Sequence, residues 1–265
     1  MSTRLDLAKL QDCLRTTRFG RSIFFSRRVS STNEWAKELA KLGVEEGTVA
    51  VAETQTAGRG RLRREWSSPA GGLWFSVVLR PRARPTDAVG LVFVAGLAVA
   101  EVLSEKYGLH VETKWPNDVL VHEKKICGML CEMSSVGGTV KYVIVGVGIN
   151  ANFRVSQALS EDIRGSATSV EDQLGRKVRL EELFGALLWE MERVYGRWVD
   201  EGLAPVLAGW KRHAAFLGRE VEVSGKDERL VGVALDVSDD GALALGISNG
   251  DVRHVLVGDV SSRPR

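Results

Sequence analysis

Residues 111–149 constrain the fold more than any other part of this chain. Runs rich in Val, Ile and Leu recur at 111–115, 119–122, 126–133 and 140–149. The links between them are Pro116-Asn117-Asp118, Glu123-Lys124-Lys125 and a loop centred on Gly137-Gly138. Parallel neighbours need a crossover of about a dozen residues or more, so links this short predict a meander of hairpins. Such a sheet must cover its apolar face. Two segments offer helices for that. Residues 180–198 repeat apolar side chains with helical period through Leu183, Phe184, Leu187, Leu188, Met191, Val194 and Trp198. The run 88–100 is apolar throughout and ends at Glu101. It is too short to cross a bilayer and reads as a buried helix, beginning at Thr86-Asp87 and running to about Tyr107.

Further strands are expected at 23–29, 48–52 and 73–79, the last ended by the turn at 80–85. Short helices are expected at 3–14 and 168–174. Another follows Ser30-Ser31-Thr32-Asn33, where Ser31 and Glu34 have capping-box spacing and Gly43 stops the periodicity of Trp35, Leu39 and Leu42. From 216 the texture changes. Short strands at 220–224, 229–237, 242–247 and 252–257 are separated by turn signals at Lys226-Asp227, Asp239-Asp240-Gly241 and Asn249-Gly250. The expected class is α+β, with a mixed β-sheet flanked by helices in residues 1–215 and a small β-barrel in 216–265.

With 265 residues, 44% of them hydrophobic and 26% charged, the chain can bury a core without disulfide or metal staples. The formal charge of +2 gives no global field for nucleic acid or anionic membrane. Cys13, Cys127 and Cys131 form no C-x-x-C pair, and His110, His122, His213 and His254 have no metal-ligand spacing. The thiols read as buried or incidental in a reducing compartment. No signal-peptide core follows Met1. A cytoplasmic protein without a bound structural metal is expected.

The basic character is concentrated instead. In E-T-Q-T-A-G-R-G-R-L-R-R-E-W (residues 53–66), Arg59, Arg61, Arg63 and Arg64 crowd beside Gly58 and Gly60. Guanidinium forks suit phosphate oxygens, and glycine lets a backbone approach a ligand closely. A solvated basic loop is the competing reading. A second stretch favours the phosphate reading: Lys114-Trp-Pro-Asn-Asp118, then Lys125-Ile-Cys-Gly128.

G-R-G-R, K-W-P-N-D, K-I-C-G, V-G-V-G-I-N at 145–150 and S-S-T-N at 30–33 resemble the biotin protein ligases, in that family's order and approximate spacing. The resemblance runs from about Arg21 to the C-terminus. It implies a ligase catalytic domain followed by an SH3-like barrel. It also implies a two-step reaction, in which the biotin carboxylate attacks ATP with Mg2+ to give biotinyl-5′-adenylate and pyrophosphate. A lysine of a biotin carboxyl carrier protein then displaces AMP. Some members carry an N-terminal DNA-binding domain. About twenty residues precede the first strand here, so a ligase without that domain, with no DNA and no membrane partner, is expected. A homodimer is compatible with the family.

The resemblance also implies residue roles. Ser31, Thr32, Asn33, Gln55, Gly58, Gly60 and Gly128 would bind biotin, with the hydroxyls at its ureido ring, though Ser31 and Thr32 equally suit a helix cap. Arg59 and Arg61 occupy the G-R-G-R positions, for carboxylate and phosphate contacts. Arg64 would also reach the nucleotide, and Leu62 departs from a run often basic in the family. Lys125 would stabilise the transition state at the α-phosphate, and Lys124 would be its solvated neighbour. Asp118 would hold magnesium or orient the incoming lysine. Lys114, Asn117, Asn150 and Trp66 would meet the nucleotide, although Lys114 could simply pair with a carboxylate and Trp66 could be core. Three other readings compete. Gly146-Val-Gly148-Ile-Asn-Ala151 formally fits a dinucleotide fingerprint but follows a meander and lacks a convincing helix. A nucleic-acid-binding module would need interleaved aromatics and more charge. A lipoate-type ligase shares the architecture but would lack the G-R-G-R and K-W-P-N-D pair.

Overall fold

The computed structural model describes residues 4–225, 229–248 and 250–262. After helix α1 (Leu7–Cys13), strands β1 (Ile23–Val29) and β2 (Val49–Gln55) run parallel, joined through α2 (Thr32–Lys41). β3 (Leu73–Leu79) turns back against β2. Helices α3 (Pro85–Ala88) and α4 (Leu91–Glu101) then lead to β4 (Val111–Lys114), β5 (Asp118–Val121), β6 (Lys124–Val136) and β7 (Thr139–Ile149). The described strands form a seven-stranded sheet in the order β1-β2-β3-β7-β6-β5-β4, antiparallel except for β1 and β2. The meander holds because each link is a turn. His122 and Glu123 take φ of 50° and 61°, and Gly137 and Gly138 take 58° and 76°, the mirror-image conformation that matches strand twist in a tight hairpin.

One face of the sheet carries Phe75, Val77, Val145 and Val147, all buried in the main core. Strand residues alternate between faces. The opposite face carries Trp74, Ser76, Gly146 and Gly148. The short helices α5 (Val155–Ala158), α6 (Glu161–Arg164) and α7 (Val170–Leu174) follow β7, then α8 (Leu180–Glu201) and α9 (Ala204–Lys211). α8 buries Leu183, Phe184, Leu187, Leu188, Met191, Val194 and Trp198 and packs on α4. Each such side chain contributes roughly 1.5–3 kcal/mol by leaving water. The segment Pro85–Lys106 has the length and apolarity of a membrane span, but its most apolar window is 78% buried in the protein. It is a core helix.

β8 (Glu220–Ser224), β9 (Arg229–Val237), β10 (Leu243–Gly246), β11 (Val252–Val255) and β12 (Asp259–Ser262) form a second, antiparallel sheet in the order β11-β10-β9-β8-β12. This is the expected small β-domain, with one more strand than its apolar pattern announces: β12 reads D-V-S-S, with too few apolar residues to signal a strand. α9 was likewise not expected, and α1 is shorter than the segment 3–14. The turn signals at Lys226-Asp227 and Asn249 lie outside the described residues. Thr113 fastens the second domain's approach, its amide donating to His213 O (2.9 Å) and its hydroxyl to Trp210 O (3.0 Å). Trp115 Nε1 donates to Gly241 O at 3.0 Å, a buried bond between the two sheets' domains.

Candidate active site

Strand register lays one row of residues across the sheet: Lys114 on β4 opposes Asp118 on β5, which opposes Gly128 on β6, which opposes Gly148 on β7, which opposes Trp74 on β3. In the next row Leu130 opposes Gly146, and Gly146 opposes Ser76. A cleft of about 360 Å³ opens above these rows. Its floor must be glycine. A Cβ on Gly148 would sit 2.6 Å from Trp66 Nε1, one on Gly128 would sit 3.0 Å from Trp66 and Lys125 atoms, and one on Gly146 would sit 2.0 Å from Asn33 Oδ1. Gly146 and Gly148 therefore lie inside β7 as a floor for side chains. They do not form a phosphate turn before a helix, which removes the dinucleotide reading.

At one end of the cleft the start of α2 supplies a buried polar recess. Thr32 donates to Gln55 Oε1 from its backbone amide (2.8 Å) and hydroxyl (3.2 Å). Ser76 Oγ lies 2.8 Å from Thr32 Oγ1 and 2.7 Å from Asn33 Oδ1. Gln55 Nε2 donates to Ser68 Oγ at 2.7 Å. Ser31 is the helix N-cap by backbone geometry, but its side chain makes no capping bond. The capping box is absent because Glu34 turns away, to Lys37 at 3.0 Å and to Arg59.

The arginine segment is a tight hairpin folded along the cleft. Trp66 N donates to Gly58 O (2.9 Å), Gly60 N donates to Arg64 O (2.8 Å), and Arg59 bridges Glu65. Gly58 serves this packing: a Cβ there would sit 2.3 Å from Trp66 O. It lies beside a smaller, separate hollow and does not line the main cleft, whereas Gly60 does. Arg59 pairs with Glu34 and, at 3.3 Å, with Glu132. Arg61 Nη1 reaches Asn117 Oδ1 (3.2 Å), Gly258 O (3.0 Å) and Asp259 Oδ1 (3.2 Å). Burial pulls the Arg61 guanidinium below its ordinary value, with Asp259 opposing the shift. Arg64 Nη1 meets Asp259 Oδ2 at 2.6 Å. The like charges of this loop repel one another. Here Asp259, Glu34 and Glu132 hold it.

Lys125 Nζ lies 2.7 Å from Asp118 Oδ1 and 5.0 Å over the Trp66 ring. Its backbone is gripped by Ser166 O and Thr168 N at 2.8 and 2.9 Å. Lys124 is exposed. Lys114 lines the cleft, and burial lowers its ammonium, with Asp118 opposing the shift. Trp66 stacks edge-on against Trp74, centroids 6.3 Å apart, and its Nε1 is buried without a partner among the described residues. Asn117 and Asn150 line the cleft, yet their amides are engaged. Asn117 Nδ2 donates to Met129 O (2.7 Å) while its Oδ1 receives Arg61, and Asn150 Nδ2 donates to Thr168 O (2.9 Å). Both ends of the Asn117 amide are thus spent on holding the loop, whereas for Asn150 the engaged group is Nδ2. Cys127 and Cys131 are thiols held neutral by burial, Cys131 pushed up to about 12.

Sequence reasoning missed Ser76, Glu34, Glu132 and Asp259. A lone Ser or Glu in a strand or helix carries no local signal of a shared site, and Asp259 arrives from the second domain.

The sequence profile of the biotin/lipoate A/B protein ligase family matches residues 25–150, and that of the biotin protein ligase C-terminal domain matches 216–263. The bifunctional ligase/repressor BirA of Bacillus subtilis is 31% identical over 97% of this chain and 79% of its own. The biotin–[acetyl-CoA-carboxylase] ligase of Paracoccus denitrificans is 34% identical over 82% of this chain and 91% of its own. The structure of the Aquifex aeolicus biotin protein ligase in complex with biotin and ATP superposes with a TM-score of 0.78 at 31% identity, covering 91% of this chain and 98% of that one. Sequence and fold agree: the chain belongs to the biotin protein ligases of the biotin/lipoate A/B protein ligase family.

Proposed function

We propose that the cleft joins biotin to ATP and passes the biotinyl group to a lysine of a biotin carboxyl carrier domain. The enzyme is a biotin–[biotin carboxyl-carrier protein] ligase, and its substrates are biotin, ATP and the carrier. The observation that carries the reading is the continuity of one cleft. It runs from a small neutral polar recess at Thr32, Asn33 and Gln55, past Lys125, to a lip of arginines. The recess offers a carbonyl acceptor, a hydroxyl and amides, the partners a neutral ureido ring requires. The arginine lip and Lys125 offer fixed positive charge where a carboxylate meets a triphosphate.

The first step brings an anion onto a polyanion, so electrostatic preorganisation is the main requirement. Lys125 would face the α-phosphorus, held by Asp118 and Trp66. Arg59 and Arg61 would take carboxylate and phosphate oxygens, with Arg64 at the outer edge. Trp66 and Lys114 would border the nucleotide. A magnesium ion arriving with ATP takes most of its ligands from phosphate and water and needs one or two carboxylates. Asp118 and Asp259, both lining the cleft, fit that demand. Bound there, the ion would neutralise phosphate charge. Closure of the hairpin would keep water from the acyl phosphate. The catalytic unit spans 1–215 and the barrel 216–265 in this reading, the protein works in the cytoplasm, and a homodimer is compatible with β1 ending the sheet. The test is incubation with biotin, ATP and Mg2+, followed by mass analysis. Biotinyl-adenylate is expected, and its absence, with no biotin-dependent ATP–pyrophosphate exchange, overturns the reading.

A further inference from the structure

The Glu132 carboxylate bonds side chains of both α2 and the arginine hairpin. It stands on β6, and one of its oxygens, Oε2, accepts from Asn33 Nδ2 at 2.8 Å and from Arg59 Nη2 at 3.3 Å. The other oxygen, Oε1, takes Lys37 Nζ at 2.6 Å. Asn33 belongs to the recess and Arg59 to the hairpin. Lys37, half-buried on α2, also pairs with Glu34 at 3.0 Å, which in turn holds Arg59. Burial alone would lower the Lys37 ammonium, but Glu132 and Glu34 outweigh it and hold it raised. Among the described residues, the polar contacts of the Arg59 side chain run through Nη2. The guanidinium is therefore gripped on one corner, leaving Nε and Nη1 for an anion in the cleft.

The geometry points to Glu132 as a positioning residue that couples the recess to the arginine hairpin, resting on the reading that this cleft forms biotinyl-adenylate. Together with Leu130 O, which Asn33 Nδ2 also meets at 3.2 Å, the carboxylate orients the Asn33 amide and sets which end of that side chain faces Ser76. The same carboxylate sets where Arg59 stands. Loss of the charge loosens both at once, leaving Asn33 on Leu130 O and Arg59 on Glu34. Glu34 shares the hold on Arg59 but makes no bond to Asn33, so the two carboxylates separate the roles.

Four variants test this: Glu132→Gln, Glu132→Asp, Glu34→Gln and Lys37→Met. Three readouts apply: biotin affinity by calorimetry without ATP, release rate of pre-formed adenylate, and tryptic cleavage of the ligand-free hairpin at its arginines. Glu132→Gln is expected to weaken biotin binding and to speed both adenylate release and hairpin cleavage, each about tenfold, the loss of one partly exposed charge-assisted contact. Glu132→Asp should recover part of each effect. Glu34→Gln should speed release and cleavage while weakening biotin affinity clearly less than Glu132→Gln does. Lys37→Met should match wild type throughout. Wild-type values for Glu132→Gln overturn the proposal, as does Lys37→Met behaving like Glu132→Gln, which would make the effect one of helix packing. If Glu132→Gln does not fold, equal effects of Glu34→Gln on biotin affinity and on release overturn it instead. Failure of the wild-type enzyme to make adenylate is a separate result and bears on the functional reading itself.

Discussion

Lys125 puts its ammonium 2.7 Å from Asp118 and over the Trp66 ring, while Lys124 beside it is exposed. Losing a donor aimed at developing charge typically costs about 3–4 kcal/mol of barrier. Lys125→Ala is therefore expected to slow adenylation by roughly two to three powers of ten, with a smaller loss in transfer from pre-made adenylate. Lys124→Ala should leave both half-reactions unchanged, and an equal effect at 124 would put the wrong lysine in the site. Gly146 makes a second case at this scale. A Cβ there would lie 2.0 Å from Asn33 Oδ1, so Gly146→Ala must expel the Asn33 side chain from its bonds to Ser76 and Glu132. Overpacking of this kind costs about 1–3 kcal/mol. The KM for biotin should rise more than kcat falls, because the recess is disturbed and Lys125 is not. A variant with wild-type KM would show that Asn33 has no part in the recess.

The arginine hairpin behaves as a unit because its partners lie on three other elements. Leu62 and Arg63 sit at φ of 53° and 61°, left-handed values that cost a non-glycine residue about 1 kcal/mol or more and persist only under constraint. Asp259 at the start of β12 supplies that constraint through Arg61 and Arg64. Asp259→Asn should raise amide hydrogen exchange at 60–64 in the ligand-free protein by about tenfold, with a loss of under about 1 kcal/mol in global stability, since these pairs are partly exposed. Exchange unchanged at these amides would mean that the hairpin's own backbone bonds suffice. Arg80 shows how misleading basic residues can be: its guanidinium is spent on Val44 O and Ala40 O, at 3.0 and 2.7 Å, far from any phosphate role.

Across the whole molecule, α4, α8 and α9 meet at a carboxyl pair remote from the cleft. Arg193 reaches Glu101 at 2.8 Å and also pairs with Glu190, and Arg212 lies 3.5 Å from Glu101. Burial, with Glu190 against it, pushes the Glu101 carboxyl up to about 7 from an ordinary 4.5. Burial would raise Glu190 too, but Arg193 wins and holds it low. The folded protein thus keeps a proton on Glu101 that the unfolded chain releases. The stabilisation is complete below about pH 4.5 and is lost as pH rises through about 7. For a single carboxyl shifted this far the change is at most about 3 kcal/mol. Urea unfolding from pH 5 to 8 should show that decline in wild type and a flatter profile in Glu101→Gln. His213, lowered by burial, titrates alike in both proteins and cancels in the comparison. Parallel profiles would place the proton elsewhere.

The sequence by itself determined the hairpin meander, because short links permit no other pairing, and the long helix α8, because its apolar period is unbroken over five turns' worth of side chains. It also identified the family, through motifs that lie close together along the chain. Tertiary structure alone decided which residues meet. The row from Lys114 to Trp74 exists through strand register, which a change of one residue would turn to the opposite face. Asn117 and Gly58 sit in the right motifs, yet the amide of the one and the backbone of the other are consumed in holding those motifs in shape. Glu132 and Asp259 look like ordinary solvated carboxylates where they stand in the chain. Only folding brings their charge against the arginines, because electrostatic partnership depends on distance in space and leaves no mark on neighbours in sequence.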